Sequence, residues 1–161
     1  SSMASGEYTS SLMFGVQWDL MLKYLETKGV SQSLLNDDST SWGNYYNNTY
    51  DIENENVKYN ILDTDTYLLT EWLPAATYKK ESEGATLLTT GANSSFSKMG
   101  IYDIAGNVWE WTLEYTPYSG NLCAVRGGFY DYTGSYYPAS FRTDYITTYS
   151  YDFIGFRVSL F

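Results

Sequence analysis

Past Gly100 the chain breaks into short apolar runs cut by glycines: GIYDIAGNVWEWTLEY, LCAVRGGFY and, at the end, GFRVSLF. Runs this short, with alternating apolar and β-branched residues, predict strands. Trp109 and Trp111 are two residues apart, so both face one buried side of a strand while Glu110 faces the other. Gly106, Gly127 and Gly128 suit tight turns or close backbone approach. Arg126 and Arg157 are scarce cations in a chain with 9 basic and 19 acidic residues. They are expected to pair with carboxylates and brace the loops.

Upstream, SLMFGVQWDLMLKYLETKG places Leu12, Phe14, Val16, Trp18, Met21, Leu22 and Leu25 at mixed three- and four-residue spacings, which predicts an amphipathic helix. Lys28 sits in its last turn and Gly29 can take the left-handed cap. The polar, asparagine-rich stretch 36–60 reads as a surface loop region. Residues 64–80 hold either a short helix or irregular structure around Pro74, and 81–100 read as loop. No internal repeat and no linker stands out. The expectation is α+β, helix early and strands late, in a single domain over 1–161.

Charge and composition remove whole classes of function. A net charge of −10 repels phosphate backbones and anionic membrane surfaces, so neither nucleic acid nor membrane insertion is expected. There is no histidine, hence no usual neutral-pH proton shuttle and no usual zinc or copper ligand. Cys123 is the single cysteine, so no intrachain disulfide forms. That fits a reducing compartment or an exported protein that manages without disulfides. No run of about 18 apolar residues exists to span a bilayer. No signal peptide is visible, and the opening SSMAS fits an excised domain without its targeting segment.

GIYDIAGNVWEWT, RGGFY and GFRVSL, in that order, form a series that resembles the formylglycine-generating enzyme (sulfatase-modifying factor) superfamily. The resemblance covers roughly the last 60 residues, and GVQWDLML in the early helix adds to it. It implies a C-type-lectin-like fold of the formylglycine-generating-enzyme type. In the enzymes of that superfamily two cysteines after the Gly-Gly pair bind copper. Here those positions hold Tyr132 and Tyr137, and Cys123 lies before the pair. A phenol does not replace a soft thiolate on copper(I). The resemblance thus implies the fold without the oxidase activity: no enzyme, and no cofactor required. It also implies a structural Ca²⁺ site, with carboxylates from Asp103 and Glu110 and carbonyls from Gly106 and Val108. The alternative is that Asp103 caps the turn and Glu110 pairs with an arginine.

Residues 129–153 have a restricted alphabet. They include seven tyrosines and three phenylalanines, but no Lys, Glu, Gln, Met or Trp. These five types are absent from Tyr115 onward, although they usually make up about a fifth of a chain. Every residue type from 129 to 153 can be encoded by a codon ending in C. The stretch lies between Gly127-Gly128 and GFR, and in this it resembles the variable region of a diversity-generating retroelement target protein. That resemblance implies a ligand-binding module of receptor or adhesin type, displayed on a cell surface or a phage virion, with a protein or cell-surface ligand as partner. Tyrosine supplies large, rigid, amphipathic contact area, with small Ser, Gly and Thr beside it. The expected contact positions are Phe129, Asp131, Tyr132, Tyr136, Tyr137, Phe141, Thr143, Asp144, Tyr145, Ile146, Tyr149, Tyr151, Asp152 and Phe153. Gly134, Pro138 and Arg142 are expected to be framework. The competing explanation is that these tyrosines are half-buried sheet residues. Two other functions compete with the binding module: a calcium-dependent lectin, and a formylglycine-generating-type oxidase that lacks its cysteine pair.

Overall fold

The computed structural model describes residues 3–5, 8–75, 78–117, 120, 123–148 and 150–160. Its organising strand is Trp109–Tyr115, which lies inside a four-stranded sheet. In spatial order the strands are Arg142–Tyr145, Cys123–Arg126, Trp109–Tyr115 and Ile154–Phe156. The first two pairings are antiparallel and the last is parallel. Trp111 registers with Val125, and Val125 with Thr143, so alternation gives the sheet two chemically distinct faces. One face carries Trp109, Trp111, Val125 and Tyr145, packed against Phe129, Phe141 and Phe153. The other carries Glu110, Thr112 and Arg126, all buried.

The helix Gly15–Thr27 covers that second face, and Arg126 pairs with its Asp19. It buries Trp18, Leu22 and Leu25 against Leu35, Trp42, Tyr45, Ile104 and Ala139. Gly29 follows it at φ +96°, as the left-handed cap requires. The helix is shorter than the spacing predicts. Leu12 belongs to the strand Tyr8–Leu12, Phe14 is the N-cap, and Val16 is exposed. The reason is that Val158–Leu160 pairs with Tyr8–Leu12, so sheet bonding captures the residues that would have extended the first turn.

The polar stretch 36–60 is not a surface loop. Ser39, Trp42, Asn44, Tyr45 and Tyr50 are buried, and the strand Lys58–Asp63 begins within it. That strand pairs with Leu68–Leu69, Leu73–Pro74 and Thr86–Leu88. Residues 64–80 therefore hold short strands and not a helix; Ala76 and Thr77 lie outside the described residues. Residues 81–100 contain the buried strand Thr86–Leu88 and a single 3₁₀ turn, Ser94–Phe96.

Asparagine can sit inside here because its amide replaces backbone pairing. Asn44 Nδ2 donates to the Thr86 carbonyl (2.7 Å) and to Asn107 Oδ1 (2.9 Å), and its Oδ1 accepts from the Tyr50 hydroxyl (2.8 Å). Asn107 takes the Leu88 N–H (3.1 Å) and returns a bond to the Leu88 carbonyl (3.0 Å). Buried amides satisfied this fully tie separate elements together. Gly106, at φ +71°, lets the turn touch the Asn44 backbone; any Cβ would collide with the Asn44 carbonyl. The result is an α+β fold with few helices and short strands, compatible with a lectin-like frame.

Candidate functional site

The aromatic segment begins where the Gly127-Gly128 pair leaves the central sheet. Gly128 packs against the Tyr137 carbonyl and the Tyr45 ring, so a side chain there would displace both. From that point the backbone is held by groups outside the segment. Tyr130 N–H donates to the Asn107 carbonyl (3.1 Å), and Tyr46 N–H donates to the Tyr132 carbonyl (2.9 Å). Ser39 N–H donates to the Gly134 carbonyl (3.1 Å), and Ser140 N–H to the Leu35 carbonyl (3.0 Å). The Tyr45 hydroxyl donates to the Tyr137 carbonyl (2.9 Å), and the Trp18 indole to the Ala139 carbonyl (3.1 Å). Ala139 N–H donates to Ser39 Oγ (2.9 Å). In each of these bonds the segment contributes a main-chain atom, which every residue type except proline supplies in full.

The side chains form a graded layer of rings. At its base Trp109 and Phe129 are each 6% exposed, with centroids 4.6 Å apart. Tyr137, Phe141, Tyr145 and Phe153 surround Trp109 at 5.2, 6.3, 5.6 and 6.0 Å and are half-buried. Outermost stand Tyr132, 42% exposed, and Tyr136, 64% exposed. Tyr132 lies 4.8 Å from Tyr137, and Tyr136 lies 4.7 Å from it. Tyr151 stacks on Phe153 at 5.0 Å. Tilted and edge-on contacts of this kind contribute about 0.5–1.5 kcal/mol each beyond area burial, without fixing one partner identity.

Between these rings opens a concavity of about 440 Å³. It is lined by Trp109, Phe129, Tyr130, Asp131, Tyr132, Tyr137, Tyr145, Asp152 and Phe153, with Leu62 and Tyr67 on the opposite wall. Burial holds the Tyr130 hydroxyl well above the usual phenol range, and the charges of Asp152 and Asp131 push it the same way. Burial also raises Asp131. The Tyr137 and Tyr145 phenols are raised by burial and then by neighbouring phenols, so they remain neutral donors at ordinary pH. Cys123 does not line the concavity; it sits half-buried on its strand.

Of the residues expected from the sequence, Phe129, Asp131, Tyr132, Tyr137, Tyr145, Asp152 and Phe153 converge on this concavity. Phe129 forms its base, not an exposed contact. Tyr136, Phe141 and Tyr151 join through ring contacts. Asp144 registers with Ala124 and so belongs to the sheet's other face, beside Arg142. Thr143 registers with Val125 as a strand residue, and Ile146 lies exposed beyond the strand end. Tyr149 lies outside the described residues. Sequence reasoning missed the base residue Trp109, the buried Tyr130, and the wall made by Leu62 and Tyr67. Tyr67 is held out at φ +55°, after a turn in which Asp63 accepts from the Asp65 and Thr66 N–H groups. Its one available signal was the Asp-x-Asp-Thr turn chemistry between apolar residues.

At Glu110, one of the expected calcium ligands, the carboxylate is paired with an arginine. Arg157 donates to both of its carboxylate oxygens, Nε to Oε2 at 2.9 Å and Nη2 to Oε1 at 2.7 Å. The same guanidinium donates to the Tyr102 carbonyl at 3.0 Å. Asp103 Oδ2 accepts the Gly91 N–H at 3.2 Å, with Asp103 itself at φ +55° in the turn. The guanidinium thus occupies the side of Glu110 on which a cation would sit, the arginine pairing that was the alternative for this residue. No cluster of three or more His, Cys, Asp or Glu side chains suited to a metal occurs among the described residues.

Fold and site together define a small α+β domain whose irregular loops, fixed from outside, carry an aromatic concavity. The model of the sulfatase-modifying factor enzyme 1-like domain family matches residues 30–160, and the chain belongs to that family. No curated protein and no solved structure matches it.

Proposed function

We propose that this chain is a ligand-binding module of receptor or adhesin type on a single C-type-lectin-like frame. Its segment 129–153 is diversified by a retroelement, and it acts outside the cell or on a virion against a protein or cell-surface ligand. The observation that carries the reading is the division of labour within the segment. Its main chain is held by Leu35, Ser39, Tyr45, Tyr46 and Asn107, while its rings grade outward to Tyr132 and Tyr136. Such an arrangement lets outer side chains change while the backbone stays in place. The restricted alphabet supplies a route by which they would change. Rigid aromatic anchors beside small polar residues are the composition of combining sites.

Sequencing this gene across one population tests the proposal. Substitutions should concentrate at Asp131, Tyr132, Tyr136, Tyr137, Tyr151 and Asp152, within codons ending in C, and a reverse transcriptase gene with a near-copy template should lie close by. Uniform codons at these positions, or no such gene, would remove the diversification reading. The family's oxidase chemistry is the rival. It has no thiol pair here, so copper-loaded protein should leave a cysteine peptide unoxidised; turnover would make this chain an enzyme.

A further inference from the structure

We propose that the concavity receives a cationic side chain, arginine or lysine, projecting from a basic partner protein. The inference rests on the ligand-binding reading above and adds the chemistry of the ligand. Two features coincide in one place. The base and walls are ring surfaces, Trp109, Phe129, Tyr137 and Phe153 among them, and the electronegative faces of such rings attract cations, the more so when water is excluded. Asp131 and Asp152 line the same space. Neither is in an ion pair among the described residues, and no lysine or arginine lines the concavity there.

This absence of counter-charge is local. Elsewhere the arginines are each matched, Arg126 to Asp19, Arg142 to Glu114 and Arg157 to Glu110. Asp131, Asp152 and Tyr130 line the same concavity, and both carboxylates lie close enough to raise the Tyr130 hydroxyl. A guanidinium or ammonium with an alkyl stem satisfies both demands: the stem and π-face lie on the rings, and the charge faces the carboxylates. The overall charge of −10 would also steer a basic partner toward this domain.

The test uses small probes on the whole chain. N-acetyl-arginine amide and its neutral isostere N-acetyl-citrulline amide are titrated at low salt while indole N–H signals are followed by NMR. Trp109 is a suitable reporter, because its buried Nε1 has no hydrogen-bond partner among the described residues. Arginine amide should shift the Trp109 signal and bind about ten-fold more tightly than citrulline amide. Asp152→Asn, at an exposed position, should remove most of that preference with an unchanged circular dichroism spectrum. Asp131→Asn should act in the same direction. Equal binding of the two probes, an Asp152→Asn variant that keeps the preference, or no response of Trp109 to arginine amide at tens of millimolar would each overturn the inference. Equal binding would leave the ligand-binding reading standing; population sequencing judges the diversification claim separately.

Discussion

The asparagine hub and the aromatic layer lie on either side of the same turn and are held by opposite kinds of force. Around Asn44 and Asn107 every contact is directional: an amide meets a carbonyl, an N–H or a hydroxyl at 2.7–3.1 Å. Around Trp109 the contacts are ring against ring, at 4.6–6.3 Å and many angles, and the indole N–H has no partner among the described residues. Directional bonds specify one partner and penalise any other, because a buried polar group left alone costs its full desolvation. Ring packing is additive and forgiving by comparison. The molecule therefore has a part that should not tolerate change and a part that should, and Asn107 joins them by accepting the Tyr130 N–H.

The comparison breaks hardest at Arg157. Arg157→Met leaves Glu110 buried without its counter-ion, which should cost about 3–5 kcal/mol in chemical denaturation at pH 7. Burial already raises the Glu110 carboxyl, against the pull of Arg157. The orphaned acid should therefore take up a proton readily, and the loss should shrink when the titration is repeated near pH 5. An undiminished loss at pH 5 would mean that Arg157 acts through its bonds to backbone carbonyls and not through charge. Next in size, Asn107→Ala strands the Leu88 N–H and carbonyl and the Asn44 amide, and about 2–3 kcal/mol should be lost. A loss below 1 kcal/mol would show that water replaces the amide and that the hub does not specify the frame.

These two regions were not equally legible in the sequence. Trp109 and Trp111 could be placed on one face because strand alternation is local. Arg126 and Arg157 could be expected to pair because so few cations stand among so many acids. The hub was invisible. Its aromatics, Trp42, Tyr45 and Tyr50, follow neither a helical nor a strand period, and the asparagines between them carry a surface composition. Only their long-range bonds to Thr86 and Leu88 turn that composition inward. The wall of the concavity was hidden for a related reason. Leu62 and Tyr67 are more than 60 residues from Phe129, and pairing of Lys58–Asp63 with Thr86–Leu88, not any local pattern, places that hairpin there. Within 129–153 the composition identified the region but not the orientation of each residue. Asp144 falls on the far face because strand register, and not residue type, decides it.

A smaller effect concerns a buried lysine. Lys80 is buried and donates to the Tyr45 and Tyr46 carbonyls, and burial lowers its pKa to about 8. Between that value and the unfolded lysine range near 10.4 the unfolded chain binds more protons than the native one. The cost of burying the charge is full below pH 8 and is relieved as pH rises above it. Stability should climb from pH 8 toward 9, by at most about 1.4 kcal/mol per pH unit, below the range in which the raised phenols of Tyr130, Tyr137 and Tyr145 pull the other way. Lys80→Met should flatten the climb; a wild-type curve that falls over this window would contradict it.

The smallest expected effect sharpens the comparison most. Tyr136 is 64% exposed, and its ring rests on those of Tyr132 and Tyr137. Its N–H is held by the Thr133 carbonyl and hydroxyl. Tyr136→Ser keeps those main-chain bonds and exchanges an outer ring for another residue encoded by a codon ending in C. Denaturation should change by no more than about 0.5 kcal/mol, the range of surface substitutions away from special features. Phe129→Ser makes the same chemical exchange at the base of the layer, where a buried aromatic is removed, and should cost about 3–5 kcal/mol. If the two substitutions cost the same, the layer is one continuous core, and no outer shell of it is free to vary. If they differ as expected, tolerance rises with distance from Trp109, and a surface open to change begins at Tyr132 and Tyr136.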